Sequence, residues 1–112
     1  MELERLNAYR VMWLFVFFDL PTETQKERKA AHRFRKDLLK DGFRMMQFSV
    51  YIRHSASGEN ADVHTKRVQK LLPEKGQVSI VRITDKQYSD IINFWGKKIA
   101  ELSASPQQLE LF

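Results

Sequence analysis

One carboxylate, Asp19, closes the most apolar run of the chain, Val11-Met12-Trp13-Leu14-Phe15-Val16-Phe17-Phe18, and stands just before a turn marked by Pro21. An acid at the carboxyl end of a buried strand is placed where a fold can display chemistry. Two readings of it stand. Asp before Pro commonly serves as a turn or cap residue, but Thr22 or Thr24 already fits a capping box for the helix that follows, so the cap does not require Asp19. The second reading is a divalent-metal ligand. A lone carboxylate holds Mg²⁺ poorly, because that ion usually takes one or two carboxylates together with water and phosphate. A second copy of the chain, bringing its own Asp19 to a two-fold axis, would complete one shared Mg²⁺ site able to activate water against a phosphodiester.

The second chemical feature is cationic. Lys26, Lys29, Arg33, Lys36 and Lys40 recur at helical spacing. At ~100° per residue they fall within roughly an 80° arc of one helix, with Ala31, Phe34 and Leu38 on the opposite side. Such a stripe can track a phosphate backbone, or it can be an ordinary solvated helix face. Arg10, Arg28, Arg35, Arg44 and Arg53 add cations whose facing the sequence leaves open. Arg10, Arg44 and Arg53 are grouped with the stripe as candidate nucleic-acid contacts. His32, His54 and His64 lack metal-ligand spacing and read as surface or structural residues. Ser49 and Ser55 have no His–Asp constellation around them, and Gly42, Gly58, Gly76 and Gly96 form no phosphate-cradling loop. Trp13 and Trp95 read as core or interface.

Composition sets the frame for these groups. A chain of 112 residues is one domain, able to bury roughly 65% of its unfolded surface without staples. The absence of cysteine excludes disulfides and thiolate-bound zinc and suits a cytoplasmic protein. The start, Met1-Glu2-Leu3-Glu4-Arg5, lacks the basic-then-apolar order of a signal peptide. No apolar run approaches the ~20 residues of a membrane span. A formal charge of +5 and a pI near 9.6 favour an anionic partner, the more so in a dimer, where the excess doubles.

The elements that must position these groups alternate strand and helix. After the first strand, the boxes Thr22–Gln25 and Thr24–Glu27 start a helix that runs to about Asp41, where Gly42 supplies the stop. Phe43–His54 is strand-like, with a bend or bulge near Met46-Gln47. Ser55–Asn60 is a loop, and Asn60 is the expected cap of a helix through Leu72, ended by Pro73. Gln77–Thr84 is a strand, Asp85–Asp90 a short helical turn, and Ile91–Trp95 a last strand. This β-α-β-(β)-α-β order predicts an α+β, ferredoxin-like βαββαβ fold, an antiparallel sheet with both helices on one face. Because the first strand is apolar on both faces, the open sheet face is expected to pack in a homodimer.

Several of these segments together resemble a known family. Phe17-Phe18-Asp19-Leu20-Pro21-Thr22, Arg33-Phe34-Arg35-Lys36, Gly42-Phe43, Met45-Met46-Gln47-Phe48-Ser49-Val50-Tyr51 and Thr84-Asp85-Lys86-Gln87 are similar, in order and spacing over about residues 8–96, to the second universal CRISPR-associated adaptation protein ("Cas two"). The Met45-Met46 pair and the Arg10 lead-in look most like members from type II systems. The resemblance implies a ferredoxin-like homodimer that partners the CRISPR integrase ("Cas one") and contacts double-stranded prespacer DNA. It also implies a metal-binding, catalytic aspartate at Asp19, with Phe18 where many members carry Tyr. The family is described as a Mg²⁺-dependent endonuclease of RNA, single-stranded RNA included, or of DNA, and a non-catalytic scaffold role is assigned to it as well.

The chain divides into a domain over residues 1–102 and a tail over 103–112. Ser103-Ala104-Ser105-Pro106 reads as a linker, and Gln108-Leu109-Glu110-Leu111-Phe112 alternates like a strand that adds to another sheet. Leu109, Leu111 and Phe112 are therefore expected to dock on the dimer mate or the integrase.

Overall fold

In the computed structural model, residues 13–97 are described in full, and 98–99, 104–105 and 107–108 by their backbone. Arg10, Leu109, Leu111 and Phe112 lie outside the described residues. The elements run β1 (Trp13–Asp19), α1 (Gln25–Lys40), β2 (Arg44–Gln47), β3 (Val50–His54), α2 (Gly58–Leu71), β4 (Gln77–Ile83) and α3 (Asp85–Ser89). Two short strands follow, β5 (Phe94–Trp95) and β6 (Lys98–Ile99). β1–β4 form one antiparallel sheet in the order β2-β3-β1-β4, the α+β, ferredoxin-like arrangement that the alternation of elements predicts.

β1 holds a central position because it is apolar on both faces, which an edge strand could not bury. On one face Leu14, Val16 and Phe18 meet Phe34 and Leu38 of α1, Ala61 and Val68 of α2, and Phe43 and Tyr51 from the β2–β3 region. On the other face α3 folds back over one end of the sheet. Tyr88 stacks on Trp13 with ring centroids 3.7 Å apart, and Trp13 Nε1 donates to Asp85 Oδ1 at 2.9 Å. Past α3, Phe17 and, opposite Phe15 on β4, Val81 are exposed on this face.

α1 starts where the second of the two candidate boxes places it. Thr24 caps it and Glu27 closes the box, which holds the Glu27 carboxyl below its ordinary range, chiefly through the Thr24 backbone N–H. The helix ends at Asp41, and Gly42 follows at φ +91°. Glycine is favoured there by the left-handed backbone, and a Cβ would also displace the Arg53 guanidinium. That guanidinium donates from Nη1 to the Asp41 carbonyl at 2.7 Å. The Asp41 carboxylate accepts from Arg67 Nη1 at 2.9 Å and lies 2.7 Å from Nδ1 of the buried His64. A carboxylate only accepts, so the ring carries a proton on Nδ1. This cluster ties the end of α1 to the middle of α2, and it accounts for His64 as a structural residue.

Three local expectations are corrected. Phe43–His54 is a hairpin, β2 and β3 joined at Phe48-Ser49, with the register shifting between Met45 and Gln47 where a bulge is expected. α2 is capped by Ser57, whose Oγ accepts from the Asn60 N–H; Asn60 itself lies inside the helix. Ile91–Trp95 does not join the sheet. Phe94 and Trp95 instead pair with Ile99 and Lys98 around Gly96 at φ +66°, which turns the chain back on itself.

Candidate metal centre and nucleic-acid interface

Asp19 is the last residue of β1. It pairs across the sheet with Gln77 of β4, and on its other side the Phe18 N–H donates to the Ser49 carbonyl at 3.1 Å. Strand alternation sets Asp19 with Trp13, Phe15 and Phe17, on the face away from α1 and α2. Its side chain is exposed, and among the described residues it makes no hydrogen bond or ion pair. The cap role is taken by Thr24, so among the described residues nothing structural occupies this carboxylate.

The backbone beneath it is held by contact with Gly76, at φ +101°. A Cβ there would sit 2.8 Å from the Asp19 carbonyl oxygen and 2.7 Å from Leu20 Cδ2. Gly76→Ala should therefore cost about 2 kcal/mol, combining left-handed strain with a backbone clash, and should push the Asp19–Leu20 junction outward. Urea unfolding measures the loss, and a variant as stable as wild type would show that the close approach is not restrictive.

One chain supplies one carboxylate here. Among the described residues no group of three His, Cys, Asp or Glu side chains is disposed to hold a metal. The arrangement fits Mg²⁺ as a half-site, since that ion accepts few protein ligands and completes its shell with water and phosphate. It fits zinc or calcium less well, since zinc takes roughly three or four protein ligands and calcium about six to eight oxygens, many of them from protein.

All five stripe residues, Lys26, Lys29, Arg33, Lys36 and Lys40, are exposed on the outer side of α1, while Ala31, Phe34 and Leu38 are buried. Among the described residues none of the five makes an ion pair; the ion pairs present use Lys75, Arg82, Lys86, Arg67 and His64. Lys29 and Arg33 also line a groove against Leu71, Leu72 and Pro73 at the end of α2. The stripe and Asp19 are not on one face. The stripe begins at the Asp19 end of the molecule and runs away from it over the helix layer.

The other arginines divide by what they touch. Arg28 donates to the Thr22 and Glu23 carbonyls, both at 3.1 Å, and clamps the turn between β1 and α1. Arg44 is exposed on β2 and donates to the Tyr88 hydroxyl at 3.0 Å. Arg53 is half-buried in the Asp41–Gly42 corner, and its contacts there are internal. Arg35, whose facing the sequence leaves open, reaches the β2–β3 turn. Its guanidinium lies 3.9 Å from the Phe48 ring centroid, and its Nε donates to the Phe48 carbonyl. Ser55 is fully buried, closed to any substrate. His54 lies edge-on to Trp13, and His32 is exposed on α1.

A family model described as CRISPR associated protein Cas2 matches residues 12–91. A CRISPR-associated endoribonuclease Cas2 from Flavobacterium psychrophilum is 60% identical over 108 residues, covering 96% of this chain and 94% of that protein. One from Parvibaculum lavamentivorans is 55% identical over 101 residues, 90% of this chain and all of the relative. A more distant one, from Streptococcus mutans, is 35% identical over 98 residues, 88% and 90% of the two chains.

Proposed function

The chain belongs to the Cas2 family of CRISPR-associated proteins, and on that premise we propose that it is a homodimeric subunit of CRISPR adaptation. It holds prespacer DNA on its helix layers, bridges the CRISPR integrase ("Cas one"), and carries a Mg²⁺-dependent phosphodiesterase half-site at Asp19. The observation that carries the DNA-holding role is the stripe of five exposed cations on α1, none of them ion-paired among the described residues. A row of this kind follows phosphates without reading bases.

Dimerisation is supported by apolar surface that a single copy leaves in water. Phe17 and Val81 on the open sheet face are exposed, and so are Ile92, Phe94 and, at 75%, Trp95 around the β5–β6 turn. Large apolar side chains left in water in such number favour an interaction surface. Packing two open faces together would cover it and bring the two Asp19 carboxylates to one axis.

A second reading makes endoribonuclease activity the main role. It is favoured by the names of the relatives and by the absence, among the described residues, of a structural partner for Asp19. Bound Mg²⁺ lowers the pKa of its water and offsets charge on the phosphodiester. Asp19 from each copy would supply carboxylate oxygens to it, and the stripe would hold the substrate backbone alongside.

Spacer integration reconstituted with the cognate integrase tests the main reading. Integration should depend on adding this protein, and sedimentation should show it as a dimer. Integration that proceeds equally without it would overturn the adaptation role.

A further inference from the structure

Phe48 occupies a position that neither the sheet nor the core explains. It sits at the turn between β2 and β3 with 69% of its surface exposed, where a small polar residue would turn the chain more cheaply. The ring is nevertheless held in place. Arg35 reaches up from α1, sets its guanidinium 3.9 Å from the Phe48 centroid and 5.3 Å from the Phe18 centroid, and fixes the turn by donating from Nε to the Phe48 carbonyl at 3.4 Å. Its two Nη groups have no hydrogen-bond partner among the described residues. Phe18 closes the arrangement from below, since its N–H donates to the Ser49 carbonyl, and the residue after Phe18 is Asp19.

The result is an aromatic ring propped outward on a planar cation at the Asp19 end of the sheet. A guanidinium covering one ring face leaves the other to water. That combination suits a nucleobase stacked on the open face, with the flanking phosphate reached by the free Nη groups of Arg35. The base must be unpaired, because inside a duplex its faces are covered by neighbouring pairs. The stripe on the same helix as Arg35 supplies the field that draws such a strand in.

We propose that Phe48 is a stacking platform for an unpaired nucleobase, and that Arg35 beneath it grips the adjoining phosphate. This rests on the nucleic-acid reading above and deepens it. It assigns the grip on a single-stranded segment to two named side chains and places that segment at the strand end that carries Asp19.

The test uses the full chain with 2-aminopurine-labelled single strands of RNA and of DNA, and with a blunt DNA duplex as control. Stacking on Phe48 quenches the label, so wild type should show quenching on single strands. Phe48→Ala should abolish the quenching and weaken single-strand binding roughly tenfold, with duplex affinity changed less than twofold. Phe48→Trp should restore both signals, and Arg35→Gln should weaken binding in the same selective way. The RNA and DNA arms show which backbone the platform accepts.

Strands that bind unquenched, or an equal loss on strands and duplex, would overturn the platform and leave the duplex-holding role standing. A Phe48→Ala protein that no longer dimerises would overturn it too, by assigning the ring to the partner chain. Failure of wild type to bind any of the oligonucleotides would bring down both readings.

Discussion

Asp19→Ala should abolish Mg²⁺-dependent cleavage of single-stranded RNA and leave spacer integration intact. The carboxylate sits at the end of β1 with no hydrogen bond or ion pair among the described residues, so its removal should change stability by no more than about 0.5 kcal/mol. A loss of activity therefore cannot be charged to unfolding, and a dimer check by sedimentation confirms this. If Asp19 supplies the protein oxygens of a shared Mg²⁺ site, deleting it from both copies leaves no carboxylate there. Several kcal/mol of transition-state stabilisation then goes, and about 4 kcal/mol corresponds to roughly a thousandfold in rate. Integration should survive because the stripe proposed to hold DNA runs along α1, away from Asp19. Two outcomes would sink this division of labour. Undiminished cleavage by the variant would remove Asp19 from the chemistry. Loss of integration in a folded dimer would mean that the metal site also holds the DNA, so that scaffold and site are one.

How much of this was legible in the sequence depends on how local each signal is. Asp19 at a strand end, the Thr24–Glu27 box and the stop at Gly42 are all set by a few neighbouring residues, and all three stand in the structure. The ferredoxin-like class follows from the alternation of elements, whereas the strand order β2-β3-β1-β4 is set by long-range pairing that the sequence does not spell out. The β2–β3 turn was hidden because Phe48-Ser49 contains no Gly, Pro, Asn or Asp, and Phe48 continues the alternation of a longer strand. Ser57 and Asn60 are both good caps three residues apart, and the choice between them is made by one hydrogen bond that composition does not encode. Ile91–Trp95 has strand composition, but the chain reverses at Gly96 and Phe94-Trp95 pairs with Lys98-Ile99 instead.

The functional residues divide the same way. The stripe was readable because helical periodicity alone places it, whereas the roles of Arg35 and Arg53 were not, since each is decided by what the tertiary fold brings opposite it. Arg53 meets the gap left by Gly42, and Arg35 meets an exposed ring. An arginine's type announces charge; only its neighbours decide whether that charge is available.

The charge on α1 leads to the second large effect, in Lys29→Glu combined with Lys36→Glu. Both side chains are exposed and make no ion pair among the described residues, so the double reversal should leave the helix, with its core contacts at Ala31, Phe34 and Leu38, intact. Duplex binding should respond strongly. If the five cations each neutralise one phosphate, log affinity should fall with log salt at a slope of about 4.5 per stripe, so a fourfold rise in salt weakens binding roughly 500-fold. Removing two contacts should lower that slope by about 1.8. At fixed low salt, two charge-assisted contacts at about 1 kcal/mol each correspond to roughly a 30-fold loss of affinity. The slope is the sharper readout, because a protein that bound DNA through Arg44 and the open sheet face instead would keep its slope while losing little affinity. Fluorescence anisotropy across a salt series distinguishes the cases. An unaltered slope would make the stripe a solvated helix face and would remove the observation on which the scaffold role rests.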